Sequence, residues 1–374
     1  MVTPNSNSQF GYHPGVLSST RAQLLCFYLP IVFSIPFVLF LQLPQAKSSS
    51  VLSFLILQGL GLAPFHLGTT WFHATDRNIR SYFAGSLIKA PAFLLSAAAI
   101  VCFSVTGMIF FQPIVQGVYL LWTVQHLTQQ NVGILLLHHN VNRNEAIVER
   151  KLEVRTLHAA AWFFSLCFIC KFAPAHSITQ IFSGLVLLAA FIDFGESLVR
   201  YICELKNQLG AGKTLNISAQ SFWLLSVLFL VPLAIGRDFN EALLAPLVLH
   251  WFQYIGLNLS IIQKKYQGSN RKMLILNVHP LLQFVVIGII FTLLFLSVGV
   301  WASLQCHGWQ KDALFGVVLS LGMIHYLHDA FLWRFREPFL RKELLNYIKV
   351  SSPVASAVVS RTQQNEESKM LVRR

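Results

Sequence analysis

Charged residues are scarce in this chain of 374 residues, and acidic residues are scarcer than basic ones. Only 11% of the residues are charged, with 15 Asp and Glu against 28 Lys and Arg, whereas 55% are hydrophobic. An ordinary soluble domain carries about 25% charged residues, so this composition excludes one. Repeated apolar runs of about 20 residues, each long enough to cross about 30 Å of hydrocarbon, predict an all-α, polytopic membrane protein.

Ten such runs predict ten transmembrane helices in one bundle. With that division, 23 of the 28 basic residues fall in segments on one side. Lys and Arg concentrate in cytoplasmic loops, so both termini are expected in the cytoplasm. The same bias accounts for the net charge of +13 without nucleic acid as a partner. The predicted spans are 23–43, 51–73, 82–111, 114–140, 157–174, 178–199, 218–236, 240–263, 274–303 and 313–334.

The remaining segments are short. Residues 1–21 are predicted to be a disordered cytoplasmic tail, 22–336 the single transmembrane domain, and 337–374 a cytoplasmic, largely disordered tail. Residues 144–155 alternate in charge at helical spacing and predict a short cytoplasmic or interfacial helix. The largest inner loop is expected at 200–217, where Gly210 and Gly212 interrupt the pattern.

Several chemical motifs are missing. The six cysteines form no pair that would staple an extracellular domain, so no disulfides are expected, and Cys167 and Cys170 are interpreted as small packing residues. Without further thiolate pairs, an iron–sulfur cluster or a structural zinc site is disfavoured. The HExxH motif of zinc hydrolases and the HxxxH and HxxHH boxes of fatty-acid desaturases are absent as well.

Histidine is abundant instead, and it recurs at one depth. Counted from the predicted outer ends, four histidines on four co-directional helices lie about 10 to 15 residues into their spans, near the bilayer middle at about 1.5 Å per residue. Ionisable groups at that depth usually face the bundle interior, where they pair, conduct or bind. These four candidate metal ligands are His66, His126, His250 and His325.

Other polar residues share this layer. His328, three residues after His325, is a fifth candidate ligand, while Asp329 and Gln130 are expected to orient ligands by hydrogen bonding. Asp193 and Glu196 allow either a role in the site or a structural pair with Arg200. Five shallower histidines leave open whether they join the site, and at most one of the adjacent His138 and His139 is expected to face inward. The shallower set is His73, His138, His139, His158 and His279.

Two segments resemble a known family. The segment GMIHYLHDAFLWRFREP is similar to the closing motif of the membrane-embedded carotenoid-cleaving dioxygenases related to the Brp and Blh proteins. GLGLAPFHLGTTW is loosely similar to their early Gly-rich, Pro-His element, although His66 lacks the following aspartate and His73 has Asp76 but lacks the glycine. The resemblance implies an all-helical membrane enzyme with iron bound by His66, His126, His250 and His325.

The hypothesis from the sequence is a membrane-embedded non-haem iron oxygenase. Its expected partners are a lipophilic small molecule, such as a carotenoid, another isoprenoid or a fatty acyl chain, and the membrane lipid, with the oligomeric state left open. Two alternatives remain: a protein that binds haem through two histidines on facing helices, and a proton-coupled transporter that uses the His, Asp and Glu layer. A purely structural role would leave the shared depth of the histidines unexplained.

Overall fold

A computed structural model describes residues 20–41, 62–85, 89–139, 145–171, 177–266 and 278–348. Within these ranges the protein is all-α apart from one pair of two-residue strands. The helices are α1 (Thr20–Gln23), a π-helical segment (Leu24–Tyr28), α2 (Leu29–Leu41), α3 (Leu62–Ala74), α4 (Arg77–Ala84), α5 (Lys89–Phe110), α6 (Gln112–His138), α7 (Arg150–Cys170), α8 (Ser177–Gly210), α9 (Ile217–Leu228), α10 (Val231–Ile235), α11 (Phe239–Lys265), α12 (Pro280–Gln305), α13 (Trp309–Leu332), α14 (Pro338–Leu340), a second π-helical segment (Arg341–Leu345) and α15 (Asn346–Ile348).

Six stretches of helix in the described ranges are long and apolar enough to cross a membrane. Helix α6 is not among them, although it has 27 residues, because five glutamines, an asparagine and two histidines lower its hydropathy. Many large apolar side chains on α8 and α12 face outward, as they do where the solvent is lipid. These helices are consistent with a membrane protein. The six stretches are Arg150–Cys170, Ile178–Gly210, Ile217–Ile235, Ala245–Lys265, Pro280–Val298 and Trp309–Leu332.

Two connections differ from their predictions. Strand β1 (Glu145–Ala146) pairs in parallel with β2 (Thr214–Leu215), so the predicted helix at 144–155 begins only at Arg150. Helix α8 continues to Gly210 and therefore occupies much of the predicted loop at 200–217. Side chains hold the strand pair, because Asn216 donates to Glu145 and Gln208 bonds both backbone groups of Ile147. Such side-chain contacts across the chain are invisible to local charge patterns.

Glycines allow close contacts between two pairs of helices. A Cβ on Gly316 of α13 would lie 2.6 Å from the carbonyl oxygen of Ser104 on α5, so a larger residue would push the two backbones apart. On α3 and α12, a Cβ on Gly68 would lie 3.0 Å from the Cα of Gly288. Small residues allow close helix approach in membranes, where van der Waals packing replaces the hydrophobic drive. These two contacts position the helices that carry the candidate site.

Helical structure continues beyond residue 336, where the predicted tail begins. The segment from Pro338 to Ile348 is helical, and its buried Leu340, Leu344 and Ile348 join the main apolar core. This short amphipathic stretch has too few turns to stand out from the polar residues that follow in the sequence. Packing against the bundle, rather than helix propensity, therefore accounts for its structure.

A buried ion-pair group ties this segment to the bundle. The Lys265 Nζ atom, at the end of α11, lies 2.8 Å from Asp76 Oδ2 and 2.9 Å from Glu343 Oε2. Asp76 also caps α4 through the amides of Asn78 and Ile79 and accepts a hydrogen bond from Tyr266. Burial alone would raise the pKa of the Asp76 carboxyl, but the Lys265 cation and these donors hold it below its usual value.

Candidate metal centre

The four deep histidines each precede a polar residue by four positions, a spacing that puts both side chains on one helical face. Helices α3, α6, α11 and α13 each contribute one such pair. The pairs are His66 and Thr70, His126 and Gln130, His250 and Tyr254, and His325 and Asp329.

The structure brings the four rings together into one cluster, called here the four-histidine cluster: His66, His126, His250 and His325. Ring centroids lie 4.2 Å apart for His66 and His325, 4.5 Å for His66 and His250, and 5.0 Å for His126 and His250. None of the four residues is more than 9% exposed. Four imidazoles from four helices thus share one buried space.

Most ring nitrogens of this cluster lack hydrogen bonds. Both nitrogens of His66 and His250, and Nε2 of His126 and His325, are buried without a hydrogen bond of normal geometry to any described residue. The His66 ring does lie near the carbonyl of Ala63. A buried polar atom without a partner costs about 1–3 kcal/mol, so six together would be strongly unfavourable. A bound cation would satisfy most of them at once.

A hydrogen-bond network orients the ring of His325. Nδ1 of His325 lies 2.7 Å from Thr70 Oγ1, which is 2.9 Å from the Tyr254 hydroxyl and 3.4 Å from Asp329 Oδ1. The Tyr254 hydroxyl donates to the same Asp329 oxygen at 2.8 Å. When the Thr70 proton points to Asp329, Nδ1–H of His325 donates to Thr70, so Nε2 keeps its lone pair. Metal-binding histidines are held in this way.

Asp329 offers its second oxygen to the cluster. Oδ2 lies 3.5 Å from Nε2 of His325 and 3.6 Å from Nε2 of His126, and it makes no hydrogen bond of normal geometry. Those distances are long for hydrogen bonds. They suit neighbouring ligands of one ion, which lie about 3.0–3.5 Å apart when each is about 2.1 Å from the metal.

Two overlapping groups of side chains could hold a metal ion. Each group has ligand atoms that lie within 4.8 Å of one another, and the groups are His66, His250 and His325, and His126, His325 and Asp329. They share His325, which has only Nε2 to offer because Nδ1 bonds Thr70. One imidazole lone pair binds one metal, so the two groups cannot both be complete at the same time. Imidazole and carboxylate ligands suit iron, manganese, zinc, copper or nickel.

Two of the predicted site residues lie elsewhere. Gln130 donates to Gln253 at 3.1 Å, across α6 and α11, instead of orienting a histidine. His328 packs against Trp71, with ring centroids 5.3 Å apart, and belongs to neither group of ligand atoms. Its three-residue offset from His325 rotates it about 60° around α13, which is enough to turn it toward α3 and away from the cluster.

The shallower histidines have partners of their own. His73 hydrogen-bonds Asn258, and Nδ1 of His138 lies 2.8 Å from the Ser218 hydroxyl. Nε2 of His139 lies 2.9 Å from Glu153. Both adjacent histidines are largely buried, contrary to the expectation for one continuous helix, because α6 ends at His138 and the chain turns at His139. His158 is half-buried on α7, and His279 is exposed before α12.

The acidic pair on α8 is also remote from the cluster. Asp193 accepts a hydrogen bond from Arg155 at 2.7 Å, and Glu196 lies 2.5 Å from Arg200. All four side chains are roughly half exposed. The structure therefore supports the structural interpretation of Asp193 and Glu196.

Two cavities flank α13. The larger, about 450 Å³, starts at His126, Tyr254 and Asp329 and reaches Arg334 and Arg336 beyond the end of α13. The smaller, about 270 Å³, is mainly apolar and is lined by Thr70, Trp71 and His328 among others. Both volumes are at or just below the size of small-molecule sites. The larger cavity therefore borders the candidate metal centre.

Thr70 and Tyr254 were missed by the sequence-based prediction. The sequence spacing could have identified them, because each follows a deep histidine by four residues and therefore lies on the same helical face. No family model, curated protein or solved structure matches the chain, so the resemblance to the Brp and Blh proteins remains a prediction.

Proposed function

We propose that the chain is a membrane-embedded, non-haem iron oxygenase that acts on a lipophilic substrate. The observation that carries this proposal is the four-histidine cluster, where each of the four buried rings has at least one nitrogen, and Asp329 has one oxygen, without a hydrogen bond of normal geometry. Up to five donors of nitrogen and oxygen type suit iron better than zinc, which usually takes four ligands.

The residues of the chain have distinct roles in this proposal. His66, His250 and His325 hold the metal, and His126 and Asp329 complete its surroundings from α6 and α13. Thr70 and Tyr254 fix the orientation of His325 and Asp329. The surrounding apolar helices exclude water and place the substrate chain in the larger cavity beside the cluster. When bound, iron supplies the ability to react with dioxygen.

The proposed topology has ten spans with both termini in the cytoplasm. It rests on the distribution of basic residues along the sequence, in which 23 of 28 fall on one side. Under this topology, the ends of α3, α6, α11 and α13 that follow their histidines all face the cytoplasm. The larger cavity then opens on that side.

Metal analysis of the full chain, purified in detergent without chelators, tests the proposal. We expect about one iron per chain and no Soret band in the absorption spectrum. His325→Gln should lose most of the metal, whereas His307→Gln, at an exposed histidine in the loop before α13, should keep it. Matching elution profiles and circular dichroism would show that both variants are folded.

Other outcomes lead to other functions. A Soret band would indicate haem, although a porphyrin would have to separate rings whose centroids now lie 4.2–6.0 Å apart. Folded protein without a stoichiometric transition metal would contradict the oxygenase and favour the proton-coupled transporter.

A further inference from the structure

We propose that the larger cavity binds a single-chain amphiphile with an anionic headgroup, held by Arg334 and Arg336. This inference rests on the proposed function and names the class of its substrate. The shared chemistry of the headgroup is a carboxylate or a phosphate on an apolar chain.

The two ends of the cavity differ in chemistry. At its inner end lie His126, Tyr254 and Asp329, which belong to the candidate metal centre or contact it. Its other end lies at the turn that follows α13. Between the two ends the lining includes the amides of Gln129 and Gln130 as well as the apolar side chains of Ile134, Leu137 and Leu257. A ligand that fills the cavity must therefore combine an apolar chain with a group that suits the two arginines.

Carboxylates of the described residues do not balance the charge at this turn. Arg336 is exposed, and no carboxylate of a described residue lies within 4.0 Å of it. Arg334 has Glu337 at 4.0 Å, the outer limit of an ion pair, and Glu337 also accepts a hydrogen bond from Tyr82. Among the described residues, Arg334 therefore has one distant carboxylate near it and Arg336 has none within ion-pair distance. Guanidinium groups bind carboxylates and phosphates in a bidentate manner.

The spacing along the chain places the headgroup near the metal centre. From Asp329, α13 rises about 4.5 Å to its last residue, Leu332, and Arg334 follows two residues later in the turn. The part of the ligand beside the cluster would then be the chain segment close to the headgroup, and not its far end. As membrane anchors alone, the arginines would not need to line the cavity.

The probe for this proposal is cis-parinaric acid, a fluorescent long-chain carboxylic acid, with its methyl ester as the neutral control. Binding would be measured with the full chain in phosphatidylcholine nanodiscs. We expect the acid to bind at least about tenfold more tightly than the ester, because charge-assisted hydrogen bonds are lost with the ester. Arg334→Gln with Arg336→Gln should remove this preference, and Arg150→Gln, at an exposed arginine that starts α7, should keep it.

Competition distinguishes the sources of the anion. Displacement of the probe by oleate or by farnesyl phosphate would support an amphiphile site and identify the headgroup. Displacement by millimolar inorganic phosphate as well would overturn the proposal, since it would show a site for free anions. Equal binding of acid and ester by the unchanged protein would also overturn it.

Metal content separates this proposal from the proposed function. The double arginine variant should keep the metal of the unchanged protein, and His325→Gln should keep the preference for acid over ester. If the acid is preferred but no metal is found, the cavity still binds the proposed class of ligand and the oxygenase fails. If metal is found without the preference, only the inference about the headgroup fails.

Discussion

At the scale of the residue, Thr70 holds the orientation of His325. Its hydroxyl lies 2.7 Å from Nδ1 of that ring and 2.9 Å from Tyr254. Removing such a partner of a metal ligand typically lowers metal affinity 10- to 100-fold. We therefore expect Thr70→Val, which keeps the shape of the side chain, to weaken metal binding by about one to two orders of magnitude. Competition with a chromophoric chelator would measure the change.

The neighbouring threonine is a matched control for this prediction. Thr69 is also fully buried, but its hydroxyl bonds the carbonyl of His66 on its own helix. Thr69→Val should leave metal affinity within about threefold of the original, because no ligand ring depends on it. Equal losses in both variants would mean that the effect comes from packing of α3 and not from the orientation of His325.

The candidate site was predictable from sequence at this scale only in part. The number of residues between each histidine and the outer end of its predicted span placed the four deep histidines in one layer. This estimate works because a helix has a constant rise per residue and the four predicted helices run in the same direction. Depth alone does not predict which polar side chains face the cluster, since that depends on the rotation of each helix about its axis. Gln130 and Asp329 follow their histidines at the same spacing, yet only Asp329 faces the cluster. Gln130 has Gln253 as its partner across the interface.

At the scale of the element, Gly316 determines how closely α13 approaches α5. A methyl group there would lie 2.6 Å from a backbone carbonyl and 2.7 Å from a Cα atom, so the helices must move apart. Such overpacking costs about 1–3 kcal/mol. We expect Gly316→Ala to lower the unfolding temperature and to weaken metal binding, because α13 carries both His325 and Asp329. Thermal unfolding and metal content would be measured on the same sample.

Gly117 is the control, since it also lies inside a helix. A Cβ there would meet no described atom within 4 Å. Gly117→Ala should be neutral or stabilise the protein by about 0.5–1 kcal/mol, as alanine favours the helix. A stable Gly316→Ala protein with full metal content would show that α5 and α13 can separate without disturbing the site.

Helices themselves were predictable where apolar runs are long, as for α7, α12 and α13. The ends of elements were less predictable where side chains from distant segments determine where a helix or strand begins or ends. The strand pair at Glu145–Ala146 depends on Asn216 and Gln208, and the burial of His139 depends on the end of α6. No local pattern contains these contacts, because they form only when the chain has folded.

At the scale of the whole molecule, the short helical segment at Pro338–Ile348 joins the described C-terminal end of the chain to the bundle. Its leucines at 340 and 344 and Ile348 are buried in the main core. Glu343 accepts the Lys265 cation together with Asp76. Each buried aliphatic side chain stabilises by about 1.5–3 kcal/mol, so the three contribute several kcal/mol. Without Glu343, the buried Lys265 would lose one of its acidic partners, which adds to the cost of losing the segment.

Two truncations test whether the bundle needs this segment. A chain that ends at Ile348 keeps all these contacts and should unfold at nearly the same temperature as the full chain. A chain that ends at Arg336 loses them and should unfold several degrees lower, because a loss of about 1 kcal/mol shifts the midpoint of a protein this large by about 1–2 °C and the three side chains contribute several kcal/mol. Equal unfolding temperatures would show that the domain ends at residue 336, as the sequence alone predicts, and that the buried contacts beyond it add no net stability.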